Sequence, residues 1–537
     1  MKGFTKLRIV ILFSCLFVAV PLAYSLYTGH MWEDFFITFK YSKNLCEGNG
    51  LVYEAGERVH GFTSPAGTLL PALCYLVTGA DSFEKAIWLF RILFCIPAFA
   101  AAGVFVLLIF LKDNTIHKLT PAVFAGLLFI VEAKSVMFSV NGMETALMLF
   151  FLAWSFYLMS RGKIDWLQNG VAWGGMMWTR PDSCVYIAAL TAAFFIFGFE
   201  RRKTFVISIL KSSAVTAVVY LPWFLWAWHY YGSPVPNTIL AKEGLTGAVA
   251  GWGMFNHVIG NLPYATSWVY APVYPQFEGW NPVVYIFSSL IGVFAFIYWT
   301  LPYSAGDRIG RAASFVFFLI SSYFAYMPFP YPWYFPPAAM IGIIVLVRGV
   351  YTLSKRMKKE ENRVAVPVIC LFGVFVIMSI NFMLISYEMM LQQKYIENGT
   401  RRQVGEWLKK NAARTDRVYV EALGYIGYFS ERKMLDFPGL VSPEVVKLVK
   451  KDKLNYATVI DKLQPEWVVA RIEDYYWKLL PNSPYFRENY KTAIVFDAIY
   501  DLDAVGYIPG ERYLLYDSCY YILKKKDKAT APVQSGK

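Results

Sequence analysis

Long apolar runs alternate with short polar breaks along most of this chain, and the runs set its architecture. Residues 9–27, 86–111, 119–131, 143–160, 165–178, 183–199, 205–227, 282–300, 312–327, 337–354 and 365–386 are each predominantly apolar. Such runs read as membrane-spanning helices, so about eleven spans are predicted. Residues 66–80 are apolar but short and bounded by Gly and Pro, and they read as a re-entrant or interfacial helix. Basic clusters give the orientation, because Lys and Arg accumulate on the cytoplasmic side. Lys2, Lys6 and Arg8, then Lys112 and Lys118, Arg161 and Lys163, Arg201 to Lys203, Arg308 and Arg311, and the cluster from Lys355 to Arg363 all fall on one side under this assignment. Residues 28–65, 132–141 and 229–281 are then expected on the outer side.

From about residue 390 the pattern changes. The tail is mostly polar, with short β-branched runs at 417–420, 466–470 and 493–496 between helix-like stretches. Alternating strand and helix signals predict a small α/β domain. The expected organisation is an α-helical polytopic membrane domain over residues 1–389 and an extracytoplasmic α/β domain over 390–537, with Lys524 to Lys537 disordered.

Composition narrows the function classes. Charged residues make up 17% of the chain, against about 25% in soluble proteins, which excludes an ordinary soluble enzyme. The formal net charge is +13; cationic loops facing the cytoplasm account for it, and without a nucleic-acid-binding signature no nucleic acid is expected as a partner. The aromatic content of 18% suits interface belts and sugar- or lipid-lining surfaces. The seven cysteines are scattered without a CxxC; Cys46 and Cys519 both fall on the expected outer side, where a bridge is allowed but not specified. The N-terminal MKGFTKLR and its apolar run have the form of a signal sequence, but lack a small-residue cleavage site and read as an uncleaved first span.

The densest polar stretch runs from Met31 to Pro65, directly after the first span, and carries Glu33, Asp34, Lys40, Lys43, Glu54, Glu57, Arg58 and His60. Ionisable groups concentrated there mark a candidate site. Two neighbouring carboxylates, Glu33 and Asp34, do not both ionise cheaply in a partly desolvated pocket, so one pKa should rise. That suits a general base for an acceptor hydroxyl; a solvated pair at a helix end is the plainer alternative. Lys40, Arg58, Arg180 and Lys242 are outer cations against the inside bias, placed to meet a lipid phosphate or to pair with Glu33, Glu57, Glu144 or Asp182. Glu144 sits just inside the end of a span and needs a partner, for which Arg180 is the candidate. His229 with Tyr230 offers a sugar contact or an interfacial anchor, and the PFPYPWYFPP run offers a lipid-groove wall or an interface belt. The paired acids leave a divalent cation open, but no metal-ligand set and no cofactor is specified. Walker, GxGxxG, GxSxG and HExxH signatures are missing, so a nucleotide-dependent mechanism has no support. No clear inverted repeat with paired broken spans points to a transporter.

Several blocks in order resemble the membrane-embedded GT-C glycosyltransferases, and most closely their terminal arabinofuranosyltransferase group, typified by the mycobacterial cell-wall enzyme. These blocks are residues 33–45 (EDFFITFKYSKNL), Gly48 to Tyr53, Gly56 to Pro65, Gly142-Met-Glu-Thr, Arg180-Pro-Asp, and Tyr231 to Thr238 with Lys242. In the tail, Gly424 to Phe429 and Leu435 to Pro443 look like the extracytoplasmic domain of that group. The resemblance implies an inverting transfer from a polyprenyl-phosphate-linked sugar, expected to be arabinofuranose, to a glycan, lipid or protein on the outer face of a bacterial cytoplasmic membrane. Carried onto this chain, Asp34 is the base with Glu33 beside it. Lys40, Arg58, Arg180 and Lys242 are candidates for the donor phosphate, and Glu144, His229, Tyr230 and Asn237 for other substrate contacts. The chain departs from the group at Glu33, where aspartate is frequent, and at Lys40, where arginine is usual; the second departure removes a bidentate phosphate contact. A mannosyl, aminoarabinose or hexose transferase of the same superfamily is the alternative enzyme, and a lipid-linked-sugar binder or flippase the alternative from another class.

Overall fold

The computed structural model describes residues 2–79, 83–112, 119–245, 252–277, 279–327 and 330–527. Among them, seven helices are long and apolar enough to cross a membrane, or eight if the bent pair Thr120–Ile130 and Ala133–Val140 forms one span. Three shorter apolar helices, Pro65–Thr78, Thr145–Ser160 and Ser183–Ile196, stand beside them. The chain is a multi-pass helical membrane protein. Lys118 and residues 528–537 lie outside the described residues.

The three segments expected on the outer side all contain helix: Phe35–Cys46 in the first, Ala133–Val140 in the second, and Asn237–Leu245 and Trp252–Ser267 in the third. Residues 132–141 contain the buried helix Ala133–Val140, set at 55° to the helix before it. The charges at its start, Glu132 and Lys134, both act inside the protein. Glu132 caps the helix by accepting the Ser135 N–H at 2.7 Å, and the buried Lys134 donates to the Trp268 carbonyl. Likewise, helix Arg202–Tyr231 runs past residue 227 and stops at Gly232, whose φ of +74° only glycine adopts freely. His229 and Tyr230 therefore sit on its last turn.

At one end of the bundle, α1 (Lys2–Thr28) hands over to α2 (Phe35–Cys46) and α3 (Pro65–Thr78). Ser64 caps α3 by accepting the Gly67 N–H at 2.9 Å, with Pro65 in the first turn. Buried Arg91, in a π-helical turn, ties this corner together by donating to the carbonyls of Val140 at 2.6 Å and His30 at 2.8 Å.

Helix Glu360–Asn411 continues for 52 residues, from the apolar span through the expected boundary at 389–390 and into the tail. The tail then forms a five-stranded sheet of β1 (Arg417–Val420), β2 (Lys433–Asp436), β3 (Trp467–Arg471), β4 (Tyr490–Asp497) and β5 (Cys519–Lys525), ordered β2-β1-β3-β5-β4. β1 is parallel to β2 and β3, and β5 is antiparallel to β3 and β4. The three predicted β-branched runs fall on β1, β3 and β4. β2 (KMLD) carries no β-branched residue, and β5 (CYYILKK) ends in the lysines read as disordered; Lys524 and Lys525 instead close a strand. All seven cysteines are free, so no Cys46–Cys519 bridge forms. Cys46 instead donates to the Ala72 carbonyl at 3.2 Å.

Candidate active site

The stretch after α1 is buried by the tail. Ile37, Tyr41, Leu51, Tyr53 and Phe62 share one apolar cluster with Val404, Val418 and Trp467. On α2, Phe36 packs its ring 4.2 Å from that of Tyr425, and Phe39 lies 5.6 Å from Tyr428. Close approach is permitted by glycine, because a Cβ on Gly424 would meet the Glu33 backbone carbonyl and one on Gly427 the Tyr53 hydroxyl. Lys43 pairs with Glu431 at 3.1 Å, and Lys433 pairs with Glu57. Asn237 joins the remaining edge: its N–H donates to the His60 carbonyl at 2.8 Å, and its amide to the carbonyls of Gly439 at 2.7 Å and Leu440 at 3.0 Å. Asp436 shapes that tail loop by accepting from the Gly439 and Val441 N–H groups and the Ser442 hydroxyl.

The docked parts enclose a cavity of about 370 Å³ lined by Glu33, Asp34, Glu144, Arg180 and Lys242. Arg180 is 3.4 Å from Glu144 and 3.1 Å from Asp182, and its guanidinium lies 4.0 Å from the Tyr334 ring centre. Removing either partner of a buried pair of this kind costs about 3–5 kcal/mol, because the other charge is left uncompensated. Lys242 differs: it stands 4.8 Å over the Tyr331 ring, and among the described residues no carboxylate is within ion-pair distance of it. Tyr331, Trp333 and Tyr334 thus form a cavity wall carrying the two cations, and residues 328–329 of the PFPYPWYFPP run lie outside the described residues.

The structure does not bring every sequence candidate to this cavity. Lys40 is buried away from its lining, 2.8 Å from Glu54 and 4.0 Å over the Tyr53 ring. Arg58 is exposed and stacks 4.7 Å over Tyr230, itself stacked 4.9 Å from Trp226. His229 is exposed on its helix. Asn237 acts through the tail carbonyls it holds. His60 lies buried 4.5 Å from the Tyr231 ring, where desolvation pushes its pKa down to about 4 and keeps it neutral.

Sequence reading named no tail residue at this site. Gln392, Arg401, Glu421, Arg471, Tyr513, Tyr516 and Asp517 are the tail's polar and aromatic contribution to the lining, beside Leu423, Phe437 and Leu440. Arg401 is 2.6 Å from Glu397 and 2.7 Å from Asp517, while Arg471 pairs with Asp517 and Glu421. Burial alone would raise Asp517, but Arg401 and Arg471 hold its pKa down to about 2, which suits a fixed countercharge rather than a proton shuttle. Among the described residues no group of three or more His, Cys, Asp or Glu could hold a metal ion.

Glu33 accepts the Gly424 N–H. Burial first, and the Asp34 charge second, push its pKa well above the ordinary carboxylate value. Since an unfolded Glu titrates near about 4.3, the stability from holding Glu33 protonated is complete below that pH and is lost as pH rises through the folded value. The Glu33 contribution to stability should therefore fall as pH rises above about 4.3. Glu33→Gln, which keeps an acceptor for Gly424, should flatten that slope in thermal unfolding; parallel curves for the two proteins would reject this account.

Comparison with known proteins places this geometry in context. A family model described as a domain of unknown function, DUF8728, matches residues 389–519. A terminal β-(1→2)-arabinofuranosyltransferase of Corynebacterium glutamicum is 27% identical over 246 residues, which cover 41% of this chain. The match spans only 34% of that relative's length. The archaeal oligosaccharyltransferase AglB of Archaeoglobus fulgidus, solved with an inhibitory peptide and a dolichol-phosphate, aligns over 88% of this chain and 70% of its own, with a TM-score of 0.55 at 13% identity. ArnT of Cupriavidus metallidurans, bound to undecaprenyl phosphate, aligns over 87% of this chain and 93% of its own, with a TM-score of 0.52 at 12% identity. The chain has the fold of the GT-C membrane glycosyltransferases.

Proposed function

We propose that the protein is a GT-C glycosyltransferase that takes a sugar, arabinofuranose by its partial similarity to the corynebacterial enzyme, from a polyprenyl-phosphate donor. One observation carries this reading: a single cavity, where membrane helices meet the tail domain, holds the Asp34 carboxylate together with the cations Lys242 and Arg180. An acceptor hydroxyl attacks the anomeric carbon while Asp34 takes its proton. The bond from that carbon to the phosphate oxygen breaks, and the electron pair leaves on the phosphate. Lys242 and Arg180 stabilise the charge that develops there. Glu33 and Glu144 are positioning residues, the first through Gly424 and the second through Arg180. The asymmetric basic clusters support an outer-facing site, and the similarity to the corynebacterial protein supports a bacterial cytoplasmic membrane.

The test incubates purified full-length protein with radiolabelled polyprenyl-phosphate arabinofuranose and a panel of glycan, lipid and peptide acceptors. The expected result is labelled product with equimolar polyprenyl phosphate. Binding of every polyprenyl-phosphate sugar tried, with turnover of none, would refute the enzyme reading in favour of a carrier or binder. Lys242→Ala is expected to lower transfer about a hundredfold, as loss of one preorganised charge-stabilising group does, with Lys242→Arg recovering part of it. Initial rates at saturating donor would read this directly, and unchanged rates would remove Lys242 from the phosphate site.

A further inference from the structure

We propose that a second cavity, behind the first, is a binding site for an anionic phospholipid of the leaflet on the tail side. The inference goes beyond the glycosyl-transfer reading and stands whether or not that reading holds. The cavity measures about 570 Å³, within the range of small-molecule sites. It opens where α1 ends, where helix Phe83–Phe90 begins and where the helix from Glu360 leaves its apolar span. Among the described residues none lines both cavities. Consecutive residues divide between them instead: Met31, Gln393 and Arg402 line this one, and Trp32, Gln392 and Arg401 the first. The wall between the two is one backbone thick.

The surroundings grade from apolar to cationic. Leu26 and Tyr27, on the last turn of α1, are 67% and 55% exposed, and Met383 on the long helix is 60% exposed. Exposed apolar surface on spanning helices faces hydrocarbon, and Tyr27 and Trp88 suit the interface above it. Past that level the long helix presents Lys394, Asn398 and Arg402 to the cavity, four residues apart. Buried Arg91 lies deeper. Its hydrogen bonds go to the carbonyls of Val140 and His30 and to the Met31 sulfur, and it stands 4.9 Å over the Trp88 ring. All of these partners are neutral, and among the described residues no carboxylate is within ion-pair distance of it. The outer cations are attended by acids: Glu84 in the lining beside Lys85, Glu406 at 2.8 Å from Arg402, and Asp501 acting on Lys394. Lys85, Lys394 and Arg402 balance those three acids, so the surplus positive charge is the buried guanidinium. A cation at interface level, with an apolar slot below and hydrogen-bond donors above, selects a ligand with an acyl tail, an anionic phosphate and an oxygen-rich headgroup. Phosphatidylglycerol has all three. A free phosphate lacks the tail, and a choline headgroup brings its own cation against Lys394 and Arg402.

The test titrates delipidated full-length protein in neutral detergent with dioleoylphosphatidylglycerol and counts bound molecules by native mass spectrometry. One molecule should bind first, about fivefold more tightly than dioleoylphosphatidylcholine. Lys394→Gln and Arg402→Gln should each weaken it about fivefold, as loss of one cation at a membrane surface does, and the double variant about twenty-five-fold. Exchanging the cations, Lys394→Arg with Arg402→Lys, should retain binding. Neither position is buried, so the lipid-free variants should melt with wild type. Added phosphatidylglycerol should raise the wild-type melting temperature more than that of the double glutamine variant. Equal affinity for the two lipids, or unchanged affinity in the double glutamine variant, overturns the site. A loss shared by the cation exchange would be structural and overturns it too. So does displacement of the lipid by inorganic phosphate at equal concentration, which would make the cavity a plain anion site, or by polyprenyl phosphate, which would make it a place for the sugar carrier.

Discussion

Asp34→Asn is expected to fold as wild type and to transfer sugar about a thousandfold more slowly, within the range attributed to a positioned general base. The side chains are nearly isosteric, so the change removes proton-accepting capacity and little else. Asp34 is half-buried, and among the described residues no cation is within ion-pair distance of it, so no buried charge is stranded by the substitution. Its neighbour is poorly placed to substitute, since Glu33 is held by the Gly424 N–H. The two acids should separate in experiment: Glu33→Gln changes the pH dependence of stability, and Asp34→Asn changes kcat with the donor KM retained. Single-turnover transfer with preloaded donor measures the chemical step without interference from product release. A rate within tenfold of wild type would remove Asp34 as the base.

Gly424→Ala is expected to lower both stability and activity, although the residue touches no substrate. The added methyl would collide with the Glu33 backbone carbonyl and stand 2.8 Å from its side-chain oxygen. Backbone cannot swing aside as a flexible side chain does, so helix Leu423–Ser430 must move off α2. Overpacking of this kind costs about 1–3 kcal/mol. Displacing the acidic pair by about 1 Å lowers a rate by about a hundredfold. Gly373→Ala is the control, because a Cβ there meets nothing within 4 Å, and helix propensity alone favours alanine by about 1 kcal/mol. Thermal unfolding and initial rates on the three proteins decide the matter. Wild-type melting and wild-type activity for Gly424→Ala would show that the tail is not rigidly seated on the acidic stretch.

The membrane half of the cavity was legible in the sequence because charge is conspicuous beside apolar runs. Glu33, Asp34, Glu144, Arg180 and Lys242 were all chosen on that ground, and all five line one cavity. The same criterion overreached at His229 and Arg58. Position next to a span does not say which way a helix turns its side chains, and the stop signal for that helix was Gly232 rather than the histidine. It failed differently at Glu132 and Lys134, where charge marked a cap and a buried carbonyl contact instead of a loop. The tail half was illegible for a topological reason. Arg471 ends β3 and Asp517 precedes β5, and only the antiparallel pairing of those strands brings the two together. In a polar domain no single charge stands out, and β5 itself lay partly within a stretch read as disordered.

The unbroken helix Glu360–Asn411 has a consequence for the lipid around the protein. Beyond Leu391 it winds as the π-helix Gln392–Arg401 before the α-helix resumes, and it carries Gln392 and Arg401 on the way. With no loop between the apolar span and the tail, a change of about 5° in the tilt of the embedded part moves Arg401, roughly 12 Å along, by about 1 Å, and tilt is how helices answer a thicker or thinner hydrocarbon layer. A shift of that size takes a hydrogen bond out of its working range. Bilayer thickness thus enters the geometry of the cavity through a lever, and the surrounding membrane becomes a mechanical setting of the protein as well as its solvent.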